Sequence, residues 1–145
     1  MIEKERKFIL KYLPSGLKKQ KIKQGYISNN SKTQVRVRII DDSSAFITVK
    51  FKIDNETRQE FEYKIPIDEG FEIYHSCSLK LEKIRYKTKY ENNQIDIDVY
   101  QNGKSVVEIE YEDVLTKLPD YCGEEVTGVK EWSNSSIAKS IMENY

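Results

Sequence analysis

The sequence predicts a β-dominated α+β fold built on antiparallel strands with a few flanking helices. Eight segments alternate apolar and polar residues with period two, the signature of half-buried strands. Clusters of Asn, Asp, Ser and Gly separate most of them at hairpin distance. Helical periodicity is confined to a few short stretches.

The first strand is expected over residues 2–10. A loop with Pro14 and Gly16 follows, then a strand over 22–28 and a turn at Asn29-Asn30-Ser31. Strands over 34–40, 45–53 and 57–65 are punctuated by Asp41-Asp42-Ser43-Ser44 and by Asp54-Asn55. Residues 68–79 read as a helix with Asp68 as its N-cap. Strands resume over 81–90, 94–100 and 105–112. Asn102-Gly103 joins the last two, a strong hairpin signal. Residues 113–118 read as a short helix ended by Pro119. The segment from Ser133 to Tyr145 reads as an amphipathic helix capped by Ser133 or Asn134, with Ile137, Ala138, Ile141 and Met142 as its apolar stripe.

The chain has 145 residues, and no linker, repeat or low-complexity tract divides it, so a single domain over 1–145 is expected. Charged residues make up 33% against roughly 25% in an average soluble domain, yet Lys plus Arg balance Asp plus Glu at 24 each. A zero net charge argues against a nucleic-acid binder. No apolar run approaches a membrane span and the N-terminus is charged from Glu3 onward, so the cytoplasm is the expected location, with no membrane partner. Cys77 and Cys122 have no partner at metal-ligand spacing and read as free thiols; His75 reads as a structural or surface residue. Chemistry is left to carboxylates, amines, guanidiniums and tyrosines.

Those groups are sorted. In a strand, Glu3, Glu5 and Lys7 share one face, and two adjacent carboxylates call for a cation between them. Val35, Val37 and Ile39 oppose Arg36 and Arg38; Val49, Phe51 and Ile53 oppose Lys50 and Lys52; Ile84 and Tyr86 oppose Lys83, Arg85 and Lys87. Phe61, Tyr63 and Ile65 oppose Glu60, Glu62 and Lys64. Ile95, Ile97 and Val99 oppose Asp96 and Asp98, while Val107, Ile109 and Tyr111 oppose Glu108, Glu110 and Glu112. Two architectures satisfy this pattern. One is a sheet with a wet, charged face. The other is a closed barrel with its charges inside and its apolar faces outward, under the helices at 68–79 and 134–145. Basic rows suit a substrate with several phosphates, and carboxylate rows suit Mg²⁺ or Mn²⁺ bridging to phosphate. No P-loop and no Rossmann glycine fingerprint is present, so phosphate binding would depend on side chains.

An ordered set of motifs spans almost the whole chain: Glu3-Lys4-Glu5-Arg6-Lys7 before Phe8, Gln24-Gly25-Tyr26, RVR at 36–38, VKFK at 49–52, RQEFE at 58–62, EKIRY at 82–86, IDVY at 97–100, VEIEYE at 107–112, EEVTG at 124–128 and Asn134. In this order they resemble the CYTH superfamily, also called triphosphate tunnel metalloenzymes. The resemblance implies a closed eight-stranded antiparallel β-barrel, open as a tunnel. It implies hydrolysis of a triphosphate with one or two divalent metals, Mg²⁺ or Mn²⁺. By position, Lys7, Arg36, Arg38, Lys50, Lys52, Arg58, Lys83 and Arg85 would hold phosphates. Glu3, Glu5, Glu108 and Glu110 would lead the metal ligands, with Asp98, Glu60 and Glu62 behind them. Tyr26 would be a catalytic partner of Lys83, with Lys7 the other candidate acid. Inorganic tripolyphosphate is the expected substrate; thiamine triphosphate, ATP, a cyclase reaction or a non-enzymatic polyphosphate- or nucleotide-binding role are the alternatives, and the protein would be a monomer or homodimer. Val129 and Trp132 depart from the family pattern, in a segment expected to line or cap one tunnel mouth.

Overall fold

A computed structural model describes residues 2–143. The strands are β1 (Ile2–Leu10), β2 (Lys18–Asn29), β3 (Thr33–Ile40), β4 (Ser44–Lys52), β5 (Thr57–Ile65), β6 (Leu79–Tyr90), β7 (Asn93–Tyr100), β8 (Ser105–Tyr111) and the short β9 (Cys122–Glu125). The helices are α1 (Ile67–Ser76) and α2 (Asn134–Glu143), preceded by a 3₁₀ turn at Lys130–Trp132. Met1, Asn144 and Tyr145 lie outside the described residues, so the expected helix is seen only as far as Glu143.

The sheet closes. The strands run β5-β4-β3-β2-β6-β7-β8-β1, and β1 pairs back onto β5 through Ile2↔Gln59, Glu3↔Arg58 and Lys4↔Thr57. Every pairing is antiparallel, giving an eight-stranded barrel. β9 adds a ninth strand along β1, on the edge that β5 leaves free. β1 and β2 stand on opposite sides of the ring, so residues 11–17 cross it.

Directly opposed residues share a face. The register therefore puts Glu3, Glu5 and Lys7 on the same side as Arg58, Glu110 and Glu108, and Arg36 and Arg38 on the same side as Thr48 and Phe46. That side is the interior. Arg36 and Lys83 are each 2% exposed, Arg85 6% and Asp98 0%. The inward-charged barrel is the architecture adopted, not the wet sheet.

Two apolar clusters lie outside the barrel. α1 covers Val37, Ile39 and Ala45 with Tyr74, while Cys77 just beyond the helix completes the cluster. On the other side Phe8, Ile95, Ile97, Val107 and Ile109 are covered by Leu17, Leu115, Tyr121 and Cys122. Residues 113–118 are thus not the short helix expected. They run irregularly along β8 and β1, with Leu115 packed on the cluster and its carbonyl accepting from Arg6 Nη1 at 3.4 Å. A two-turn helix ending at Pro119 lacks the length to nucleate unaided, and covering the sheet here requires an extended reach.

α2 does not cover an outer face, contrary to expectation. Ile137, Ala138 and Ile141 pack on Tyr26, Leu81, Tyr100 and Val106. These four stand in the same inward rows as the charges: Tyr26 opposes Arg36, Leu81 opposes Gln24, Tyr100 opposes Lys83 and Val106 opposes Asp98. The apolar stripe of α2 therefore fills part of one end of the barrel. Ser133 is its cap, with its Oγ accepting from Ser136 N at 3.2 Å.

Smaller differences have local causes. β2 begins at Lys18, because Lys18-Lys19-Gln20-Lys21 pair with β6 although their composition hides any alternation. Pro66, not Asp68, holds the N-cap position of α1; Asp68 lies in the first turn, where a carboxylate still favours the helix dipole. α1 ends at Ser76 and β6 starts at Leu79. His75 is exposed and stacks on Phe71, and both thiols are free, as expected. No helix among the described residues is long and apolar enough to cross a membrane.

α1 sits so close to β4 that a Cβ on Gly70 would lie 2.3 Å from Ala45 Cβ. Gly70→Ala is expected to lower stability by about 1–3 kcal/mol through overpacking. Chemical denaturation of the variant against wild type measures this.

Candidate active site

The inward side chains enclose a cavity of about 570 Å³. Of the residues singled out in the sequence, Glu3, Glu5, Lys7, Arg36, Arg38 and Lys50 line it. So do Lys52, Arg58, Glu60, Arg85, Glu108 and Glu110. The turns after β2 and β4, residues 126–130 and the first turn of α2 frame its mouth.

Inside, opposite charges pair across strands. Lys7 meets Glu108 at 3.5 Å, Lys50 meets Glu60 at 3.5 Å, and Arg58 bonds Glu5. Arg85 reaches Asp96 at 3.3 Å and Asp98 at 2.8 Å. Pairing is incomplete. Arg36 and Arg38 bury Nε atoms that have no hydrogen-bond partner among the described residues. Burial and the neighbouring Arg36 and Arg85 push the Arg38 guanidinium down to about 9. Burial and Arg36 likewise push Lys50 down to about 8. This wall carries more positive charge than its carboxylates neutralise, and an anion would relieve it.

The opposite crowding holds among the acids. Burial, a hydrogen bond to Glu60 and the charges of Glu60 and Glu110 push Glu3 up to about 8. Its partner Glu60 is buried too, but Lys50 and that hydrogen bond hold it down to about 2. Burial, then Asp96, Glu5, Glu60 and Glu108, raise Glu110. Among the described residues no three such groups stand in ligand arrangement, because Glu5, Glu60 and Glu108 each face a cation of the barrel. Their hard oxygen donors and mutual repulsion nonetheless suit a divalent cation.

Four expected site residues do not line the cavity. Asp98 is 0% exposed and accepts from Lys83 Nζ at 2.8 Å, Arg85 Nε at 2.8 Å and Arg85 Nη2 at 2.9 Å. Those two cations hold its carboxyl far below the usual range despite burial. Lys83 is sealed with it, and burial pushes the amine down to about 7 against the pull of Asp98. Tyr26 is buried against α2, and its hydroxyl accepts from Gln24 Nε2 at 2.9 Å, not from Lys83. Lys83 Nζ lies over the Tyr100 ring, 5.5 Å from its centroid. Glu62 is exposed, next to Thr48.

Other residues join the site unannounced. Asp96 lines the cavity beside Arg85; its alternation with Asp98 was the available signal. Lys130, Lys139, Thr127 and Asn134 arrive from the C-terminal segment, which stands at the cavity mouth as the motif order implied; none of these four side chains is among those assigned to the site from the sequence. That segment also explains the Glu124-Glu125-Val126-Thr127-Gly128 motif. Glu125 takes a bidentate bond from Arg6 at 2.8 and 2.6 Å, Val126 N donates to Lys7 O at 2.8 Å, and Thr127 Oγ1 accepts from Lys7 N at 2.9 Å. Gly128, at φ +71°, passes so close to Asn55 that a Cβ would meet it at 2.8 Å. The Trp132 carbonyl then accepts from Lys7 Nζ at 3.0 Å. Five residues after Thr127 grips the Lys7 backbone, the same segment aims the Lys7 ammonium. Trp132 acts there through its backbone, and Val129 lines the mouth.

Asp98→Asn would leave Lys83 buried without its counter-charge and Arg85 with Asp96 in place of two carboxylates. It is expected to lower stability by about 3–5 kcal/mol, read by denaturant titration, whereas Glu62→Gln on the surface should stay within about 0.5 kcal/mol.

The CYTH domain family model matches residues 1–141. A protein named inorganic triphosphatase from Acetivibrio thermocellus is 35% identical over 130 residues, covering 85% of this chain and 83% of that protein. Another of that name, from Nitrosomonas europaea, is 32% identical over 153 residues, covering 97% and 99%. The crystal structure of an inorganic triphosphatase superposes with a TM-score of 0.68 at 27% identity, covering 94% of this chain and 97% of that one. A cavity whose basic and acidic walls face each other inside a closed eight-stranded barrel, together with a family match running nearly end to end, places the chain in the CYTH domain family.

Proposed function

We propose that the chain hydrolyses inorganic tripolyphosphate to diphosphate and phosphate inside the barrel, with Mg²⁺ or Mn²⁺ as cofactor. The observation that carries this reading is the composition of the cavity: basic and acidic walls within one chamber, and no aromatic side chain lining it among the described residues. A nucleoside or thiamine moiety calls for a ring to stack on. Here Tyr26, Tyr100 and Trp132 are engaged with α2, and Tyr86 belongs to the outer cluster. A chain of phosphates needs only cations. The relatives named inorganic triphosphatase point the same way.

Arg36, Arg38, Lys50, Lys52, Arg58 and Arg85 spread the substrate charge so that water can approach phosphorus. Glu3, Glu5, Glu60, Glu108 and Glu110, joined by Asp96, would hold the metal, which when bound supplies charge neutralisation and lowers the pKa of a coordinated water. Lys7 takes the role of acid, since it lines the cavity and Lys83 does not. The water oxygen bonds to the terminal phosphorus as the bond to the bridging oxygen breaks. The electron pair leaves with diphosphate, whose oxygen takes a proton from Lys7. Both water protons leave on the product phosphate, and one of them then passes to the Lys7 amine, restoring the ammonium. Asp98 and Lys83 act behind the wall, holding Arg85 in place.

A phosphate-release screen of tripolyphosphate, ATP and thiamine triphosphate with Mg²⁺ and Mn²⁺ should show tripolyphosphate as the preferred substrate; preference for either organic triphosphate, or cyclic nucleotide among the products, would overturn the assignment. Lys7→Ala, and separately the pair Glu108→Gln with Glu110→Gln, should reduce turnover by roughly 100-fold or more while circular dichroism shows an intact barrel. Near-normal release from either variant rejects these roles.

A further inference from the structure

Asn134 is the first residue of α2, and its amide has two sides in this structure. Its Oδ1 accepts from Lys83 Nζ at 3.2 Å and from the Tyr100 hydroxyl. Both donors are buried, Lys83 at 2% and Tyr100 at 3% exposure. The amide plane is pinned by two bonds from inward strand residues on β6 and β7. The Ser133 cap and the α2 stripe packed on Tyr100 hold its backbone. Its Nδ2 makes no hydrogen bond among the described residues, and Asn134 lines the cavity. A primary amide carries its two N–H donors on a different atom from its acceptor oxygen, so an oxygen held by two partners leaves the donors free to meet a third group. Fixing Oδ1 on Lys83 and Tyr100 leaves the two N–H donors for another acceptor, and Asn134 borders the chamber that Arg36 also lines.

We propose that Asn134 is a substrate-binding residue: its Nδ2 donates to a phosphoryl oxygen while its Oδ1 stays on Lys83 and Tyr100. This rests on the reading of the cavity as a phosphate chamber. A neutral donor has a distinct use there. It adds directional contact to an oxygen without further like-charge repulsion among Arg36, Arg38 and Lys50. It also makes α2 part of the binding surface, so that the helix both fills part of one end of the barrel and touches what enters it.

Asn134→Asp separates this from a purely structural role. The carboxylate keeps an acceptor for Lys83 and Tyr100 but replaces the donors with charge that repels phosphate. Tripolyphosphate hydrolysis with Mg²⁺ should fall by on the order of 10- to 100-fold in kcat/KM, mainly through KM, with an unchanged melting temperature. Asn134→Ala should lose activity too and lose some stability. Full activity of Asn134→Asp beside an impaired Asn134→Ala would mean that only the acceptor matters, and would overturn the proposal, as would two active variants. A second measurement needs only the wild-type chain. In ¹⁵N spectra, the Asn134 side-chain NH₂ pair, identified by its loss in Asn134→Ala, should shift when tripolyphosphate is added in the presence of a chelator. An unmoved pair under saturating tripolyphosphate overturns the contact even if Asn134→Asp fails to fold. Hydrolysis by the wild type tests the activity reading on its own; the resonance tests Asn134 whether or not turnover is seen.

Discussion

The constraint on which this structure depends is the requirement that charges inside a closed barrel be neutralised by one another. A buried ion without a partner is strongly destabilising. The interior meets this by cross-strand pairing. Lys7 opposes Glu108, Lys50 opposes Glu60, and Arg85 opposes Asp98 in register as well as in charge. A shift of one residue along any of these strands would turn these charges outward, and on β7 and β8 would bring the Ile and Val rows inward. Register, closure and charge satisfaction are thus one condition.

The pairing is graded along the cavity, and the gradation separates structure from chemistry. Asp98 has three bonds from two cations and no exposure, so it belongs to the wall. Lys7 and Glu108 are in looser contact at 3.5 Å and border the chamber. Arg36 and Arg38 retain Nε atoms without a partner among the described residues, and Glu3 and Glu110 have their carboxyls raised by burial and crowding among acids. The unrelieved charge is of both signs and lies within one chamber, which a polyphosphate together with a divalent cation would neutralise on both walls. Such groups cluster at functional sites for this reason.

Much of this was legible in the sequence because strands have period two. Alternation assigned Arg36, Arg38, Lys50 and Glu108 to one face without any tertiary knowledge, and motif order tied that face to a family. What escaped had no periodic signature. The acids are a case in point: Asp96 and Asp98 look equivalent in Ile95-Asp96-Ile97-Asp98-Val99, yet Asp98 is consumed by two cations and Asp96 borders the cavity. Lys83 and Arg85 look equivalent as well, and Arg85 alone reaches the chamber. Residues 113–118 carried a weak helical pattern that covering the sheet between β8 and β9 overrode.

The sequence by itself determined the strand faces, the sorting of acids from bases and the turns, because each is encoded by residues a few positions apart. Alternation left an open sheet and a closed barrel equally possible, and the motif order implied closure, which the β1–β5 pairing bears out; only the tertiary structure decided that β9 and residues 126–132 clasp β1 at Lys7, and that α2 enters the barrel to place Asn134 beside Lys83. Those contacts join residues 51 to 125 positions apart in the chain. An amphipathic stripe states that a helix must bury Ile137 and Ile141 but not against which surface. The apolar ends of four inward rows, assembled only on closure, supply that surface.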